Sequence, residues 1–137
     1  MRATLRLRQA ANVVNLSTPL GGLVALLGRA RLARGPDGLV LARGYRLRVP
    51  PAPAFTLGNV VLLRLDDRAL ARRPRLLAHE SRHATQYAWC VGPVMLPLYG
   101  LAAGWSWLRC RDVATYNVFE RHAGLGDGGY ARTREGA

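Results

Sequence analysis

The 22 residues from Tyr87 to Leu108 carry no charge and are flanked by Arg82 and Arg109, and this run restricts the possible folds more than any other segment. Length alone suits a transmembrane helix, which needs about 20 apolar residues. Gly92-Pro93, Pro97 and Gly100 interrupt it, however, since proline lacks an amide N–H and glycine is a poor helix former. The expectation is a helical hairpin over residues 87–108, with arms of about ten residues reaching about 15 Å, half a hydrocarbon core. Arg72, Arg73 and Arg75 precede the run and Arg109 and Arg111 follow it, so the positive-inside bias places both ends on one, cytoplasmic side. Such a hairpin either dips into a membrane as a peripheral or monotopic element or is buried in a cytoplasmic protein. Trp89, Trp105 and Trp107, with Tyr87 and Tyr99, suit a core and a membrane-interface belt equally.

At 137 residues, half of them apolar, the chain fits a single domain over 1–137 with a modest core. The formal charge of +12 would suit a polyanion partner, but all 20 basic residues are Arg, a skew that a GC-rich coding bias also produces. The Arg are dispersed along the chain and form no nucleic-acid module or stacking platform, so a nucleic-acid partner is not expected. An anionic membrane surface matches the charge better. Cys90 and Cys110 form no C-x-x-C pair and read as reduced, buried thiols. Arg2, Arg6 and Arg8 ahead of Leu20–Leu27 faintly resemble a signal peptide, but Asn12, Asn15, Ser17 and Thr18 interrupt it, and the segment is read as part of the mature protein.

Thr18-Pro19 reads as a helix start, predicting a helix from Pro19 to about Ala33, closed by Gly35-Pro36. Leu39–Leu41 and Tyr45–Val49 are short strand candidates, Pro50 to Pro53 an extended link, and Asn59–Leu65 the strongest strand. Asp66-Asp67 caps a new helical region, and a further helix follows Pro74. The glycine-rich end from Gly124 onward is expected to be a loose tail over residues 124–137.

On the helix after Pro74 lies His79-Glu80-Ser81-Arg82-His83. Residues four apart share a helical face, so the imidazoles of His79 and His83 can converge on one ion, and Glu80 beside them can take a proton from an activated water. The alternative is a chance match on an amphipathic helix. A catalytic zinc site usually has three protein ligands, and the downstream candidates are Asp112, Glu120 and His122. A straight span of 22 residues would carry the chain about 33 Å away, whereas a hairpin brings Glu120 back beside the His79 helix. Asn117-x-x-Glu120 also has capping-box spacing, so Glu120 is either a ligand or a cap. Gln86 could bond a neighbouring backbone or orient a ligand, and His122 reads as a surface histidine that could also donate to a tetrahedral intermediate.

His79-Glu80-Ser81-Arg82-His83-Ala84-Thr85-Gln86, followed by Asn117-Val118-Phe119-Glu120 after a Gly/Pro-broken apolar stretch, resembles the gluzincin-like zincin metallopeptidases, and most closely the minimal bacterial H-E-x-x-H-x-x-Q domains. The resemblance covers Leu76 to Ala123, with Asn59–Leu65 as the preceding strand. It implies Zn²⁺ held by His79, His83 and Glu120, Glu80 as catalytic base, and a strand along the cleft that pairs with an extended peptide substrate. It lacks the N-E-x-x-S-D pattern of larger gluzincins, and no oxyanion donor is identifiable.

The expected fold is therefore α+β and zincin-like, with a small antiparallel sheet, the H-E-x-x-H helix, an apolar hairpin and a short C-terminal helix. The expected function is zinc-dependent hydrolysis of a peptide or protein substrate. The competing class is a non-catalytic membrane-peripheral or partner-binding protein with a structural or vestigial metal site.

Overall fold

The computed structural model describes residues 2–49 and 52–128. Among these residues the fold is mixed α+β, with six α-helices and a four-stranded sheet. In chain order the helices are α1 (Ala3–Val14), α2 (Ser17–Leu27), α3 (Asp67–Ala71), α4 (Leu76–Trp89), α5 (Met95–Cys110) and α6 (Val118–Ala123), and the strands are β1 (Arg31–Arg34), β2 (Val40–Arg43), β3 (Ala54–Leu57) and β4 (Val60–Leu63).

The sheet order is β1-β2-β4-β3, and β4 lies parallel to β2 but antiparallel to β3. The expected antiparallel sheet is thus a mixed one. All four residues of β4 are buried, which is why Val60-Val61-Leu62-Leu63 reads as a continuous apolar run rather than an alternating one. Being paired on both sides, β4 cannot accept a further strand; the edges are β1 and, beside β4, β3. The β3–β4 hairpin turns at Gly58-Asn59, where Gly58 has φ +62° and a Cβ would lie 2.4 Å from the amide nitrogen of Thr18. Only glycine fits there.

The helix predicted to reach Ala33 ends at Leu27. Gly28 caps it, Arg29 turns left-handed at φ 55°, and Arg31–Arg34 leaves as the exposed strand β1. Tyr45–Val49 is not a strand. Tyr45 packs edge-on against Phe55, with ring centroids 5.3 Å apart, and the edge place in the sheet goes to Ala54–Leu57.

Helix α1 was not anticipated, and the polar residues after it are more than interruptions. Asn12 donates to Asn59 Oδ1 and to the Ala84 carbonyl, both at 2.8 Å, and Asn15 donates to the Tyr87 carbonyl at 3.2 Å. Asn12 and Ser17 are fully buried. This network ties α1 and α2 to the start of β4 and to the back of α4. Arg8, also buried, donates to Ser81 Oγ at 2.8 Å and to the Asp37 carbonyl at 2.6 Å. Burial lowers the Arg8 pKa, with Asp37 opposing.

The hairpin expected within residues 87–108 is displaced. Its bend, 111°, falls at Cys90–Val94, so the first arm is α4 itself. Val91 and Gly92 carry the bend with φ of 56° and 73°. Helix α5 then runs uninterrupted through Pro97 and Gly100, because Pro97 sits in its first turn, where an amide N–H has no intrahelical partner to lose. Beyond Arg111, at φ 60°, Asp112 Oδ1 accepts from the amides of Ala114 and Thr115, and the chain turns back to seat α6 against α4. These backbone bonds hold the Asp112 carboxyl below its ordinary pKa.

The tail expected to be loose from residue 124 is packed as far as Gly128; residues 129–137 lie outside the described part. Asp127 pairs with Arg82 at 3.0 Å. Cys90 is half-buried and Cys110 exposed, both as free thiols rather than the buried pair expected.

Candidate metal centre

Helix α4 presents His79 and His83 on one face, one turn apart, and α6 lays Glu120 across them. His79 Nε2 lies 3.1 Å from His83 Nε2, and Glu120 Oε2 lies 3.0 Å and 3.3 Å from the two nitrogens. All three residues are buried. Tetrahedral ligands about 2.1 Å from a metal stand about 3.4 Å from each other, close to the observed triangle.

The outer nitrogens decide the tautomers. His79 Nδ1 lies 2.8 Å from the Gly124 carbonyl, which can only accept, so Nδ1 carries the proton and Nε2 presents its lone pair inward. Gln86 Nε2 must donate to the Phe119 carbonyl at 2.9 Å, which leaves Gln86 Oε1 to accept from His83 Nδ1 at 2.8 Å. His83 Nε2 therefore faces inward with its lone pair as well. Two lone pairs and a carboxylate can stand this close only with a cation or shared protons between them. The group can hold a metal ion.

With protons in that place, burial would raise the Glu120 pKa, but hydrogen bonds from His79, His83 and Tyr99 and the charge on His83 hold it well below the carboxylate range. Burial opposes a charge on His83, yet the bond and charge of Glu120 win and raise its pKa. The two shifts are one interaction seen from its two ends.

The residues between the two histidines support them. Arg82 donates to the Ala123 carbonyl and to Asp127, bracing the chain where His79 is held. Ser81 and Thr85 take the Arg8 guanidinium on the opposite face. Gly128 covers the His79 ring so closely that a Cβ there would lie 2.5 Å from Cε1. Gln86 bonds both the neighbouring Phe119 backbone and the His83 ring. Asn117, not Glu120, caps α6, accepting from the Phe119 amide at 3.0 Å. Asp112 is engaged in its own loop, and exposed His122 accepts from Gln86 at 2.9 Å through Nδ1.

Glu80 is buried and accepts from Thr56 Oγ1 at 2.6 Å. Burial raises its pKa, partly offset by His83 and by the Thr56 bond. Glu80, His83 and Glu120 line a cavity of about 460 Å³, whose other walls are mostly apolar: Leu20 and Val24 of α2, Phe55 of β3, Leu96 and Tyr99 of α5. Sequence reasoning missed Thr56 and Tyr99. Tyr99 donates to Glu120 Oε1, and its ring stands 6.2 Å from that of His83. The Gly58-Asn59 turn between two apolar runs was the signal that could have placed Thr56 on an edge strand. Nothing local marks Tyr99.

No protein-family model matches the chain, and no curated protein or solved structure matches it either.

Proposed function

We propose that this protein is a zinc-dependent peptidase of minimal zincin type. The observation that carries the reading is the His79–His83–Glu120 cluster, two members of which, His83 and Glu120, line one cavity together with Glu80. Two imidazole nitrogens and one carboxylate oxygen are a donor set that suits zinc and leaves a coordination position for chemistry. A zinc ion held there supplies Lewis acidity toward a carbonyl and lowers the pKa of water toward about 7.

The chain's own residues divide the remaining work. Glu80 takes the proton of the attacking water and returns it to the leaving amine, and its raised pKa suits that two-way transfer. Thr56 fixes the carboxylate through Oε2. Tyr99 and Gln86 hold Glu120 and His83 in place. An extended peptide can pair with edge strand β3, which touches α4 through Thr56, with an apolar side chain entering the cavity. The competing reading, a structural metal in a non-catalytic protein, calls for a fourth protein ligand, and neither Asp112 nor His122 joins the cluster.

Metal analysis of the purified wild type beside Glu80→Gln and His83→Ala tests this. Zinc near one per chain is expected in the wild type, retained in Glu80→Gln and lost in His83→Ala. Cleavage of a quenched-fluorescent peptide library is expected from the zinc-loaded wild type and not from Glu80→Gln. A wild type that takes up no zinc under metal-replete conditions sinks the proposal; zinc uptake without cleavage leaves the structural reading.

A further inference from the structure

We propose that the outer faces of α2 and α5 dock this protein onto an anionic lipid bilayer, a property independent of what the metal centre does. Helix α5 has 16 residues, of which only Met95 and Ser106 are buried. Leu98, Leu101, Trp105 and Leu108 recur at helical spacing on one face and are 40%, 73%, 57% and 73% exposed. Across the cavity, α2 exposes Leu23, Leu26 and Leu27. The two helices leave elbows that touch: a Cβ on Gly92 would lie 2.4 Å from the Asn15 carbonyl oxygen. Around that contact Val14, Leu16, Trp89 and Val91 are all exposed. An apolar surface this extended, on α2 and on a helix α5 with only two buried residues, calls for a partner.

Charge identifies the partner. Neither helix carries an acidic residue, and from Ala3 to Leu65 the only acid is Asp37, against nine Arg. Helix α2 runs out into exposed Arg29 and Arg31, and α5 into exposed Arg109 and Arg111. The Arg109 guanidinium lies 5.6 Å from the Trp105 ring centroid and 5.2 Å from that of Tyr116, and Arg111 lies 4.1 Å from that of Trp107. Aromatic rings paired with guanidinium groups at the end of an uncharged helix are the composition of a headgroup boundary. A protein partner with an apolar patch would not call for so one-sided a charge; anionic lipid does.

The depth follows from length. No single helix among the described residues is long and apolar enough to cross a membrane. The uncharged part of α5, residues 95–108, is about 21 Å long against a hydrocarbon core of about 30 Å. It lies in the interface plane instead, apolar stripe inward and Arg at the headgroups. The cavity is bounded by these same two helices, so docking brings the metal centre up to the bilayer.

Co-sedimentation of the full chain with vesicles tests the proposal. Binding is expected to vesicles of equimolar phosphatidylcholine and phosphatidylglycerol, at least about tenfold weaker to phosphatidylcholine alone, and weakened by salt. Leu101→Asp with Leu108→Asp is expected to abolish binding while the melting temperature and circular dichroism hold, because both side chains are exposed. Arg109→Gln with Arg111→Gln, which leaves the apolar stripe intact, is expected to erase the preference for the anionic vesicles. Wild type that stays in the supernatant with mixed vesicles overturns the proposal, as do aspartate variants that bind like wild type. A wild-type dimer that the aspartate pair splits, with no vesicle binding, assigns the face to a second copy instead.

Discussion

Gln86 Oε1 accepts the Nδ1 proton of His83 at 2.8 Å, three residues along the same helix, and Gln86 Nε2 donates to the Phe119 carbonyl one residue before Glu120. One amide thus orients a histidine on α4 and locks the element that carries the third member of the cluster.

Gln86→Ala removes both bonds. The partners of metal ligands are worth about 10- to 100-fold in affinity. Zinc affinity measured by chelator competition is expected to fall by that factor, with the helical circular dichroism unchanged. An unchanged affinity would show that His83 holds its orientation without the amide.

Arg82→Ala frees the Gly124 end of α6, where His79 Nδ1 donates at 2.8 Å. A loss of about tenfold in zinc affinity is expected, on the same grounds of ligand support. Arg82→Lys is expected to rescue little, because an ammonium cannot reproduce a guanidinium's fixed fork. Full rescue by lysine would refute the bracing role.

Glu80→Gln is expected to abolish cleavage while stabilising the metal-free protein at neutral pH. The folded-state pKa of Glu80 is raised by burial, so its contribution is fully present below the ordinary 4.5 and is lost as pH rises through the higher folded value. At pH 7 the buried carboxylate costs stability that glutamine does not. A gain of roughly 1 kcal/mol in urea unfolding of chelator-treated protein is expected. A lower midpoint at pH 7 would contradict it.

The cluster gives the metal-free protein a pH window. Glu120, depressed, contributes above its ordinary 4.5 and loses that contribution as pH falls toward its low folded value. His83, raised, contributes below its ordinary 6.5 and loses it as pH climbs through the folded value. Melting of chelator-treated protein is expected to show this contribution greatest between those two values. Zinc-loaded protein is expected to keep its stability through neutral pH and to lose the zinc contribution on acidification, as protons displace the ion from the imidazoles. Identical profiles with and without zinc would argue against a metal at this site.

Asn12→Ala strips the donor that satisfies Asn59 Oδ1 and the Ala84 carbonyl in a fully buried place. Leaving such groups unpaired costs about 1–3 kcal/mol, readable as a lower urea midpoint with an unchanged slope. Loss below about 0.5 kcal/mol would mean that the network relaxes around the change.

The pairing of His79 with His83, Glu80 beside them and the helix that carries all three were legible in the chain because helical spacing is a local property: residues four apart share a face whatever surrounds the helix. The buried strand at Val60–Leu63 was legible for the same reason, and Glu120 because few other ligand types lie downstream. The mixed order of the sheet, the edge position of β3, the bend at Cys90–Val94 and the grip of Thr56, Tyr99, Arg82 and Gly124 on the cluster depend on which distant segments meet. Those meetings are set by burial and by the pairing of polar groups across the whole fold, and neither leaves a periodic mark in the sequence. The chain by itself determined which atoms could bind a metal; the tertiary structure decided the tautomers, the covering and the cavity that surround those atoms.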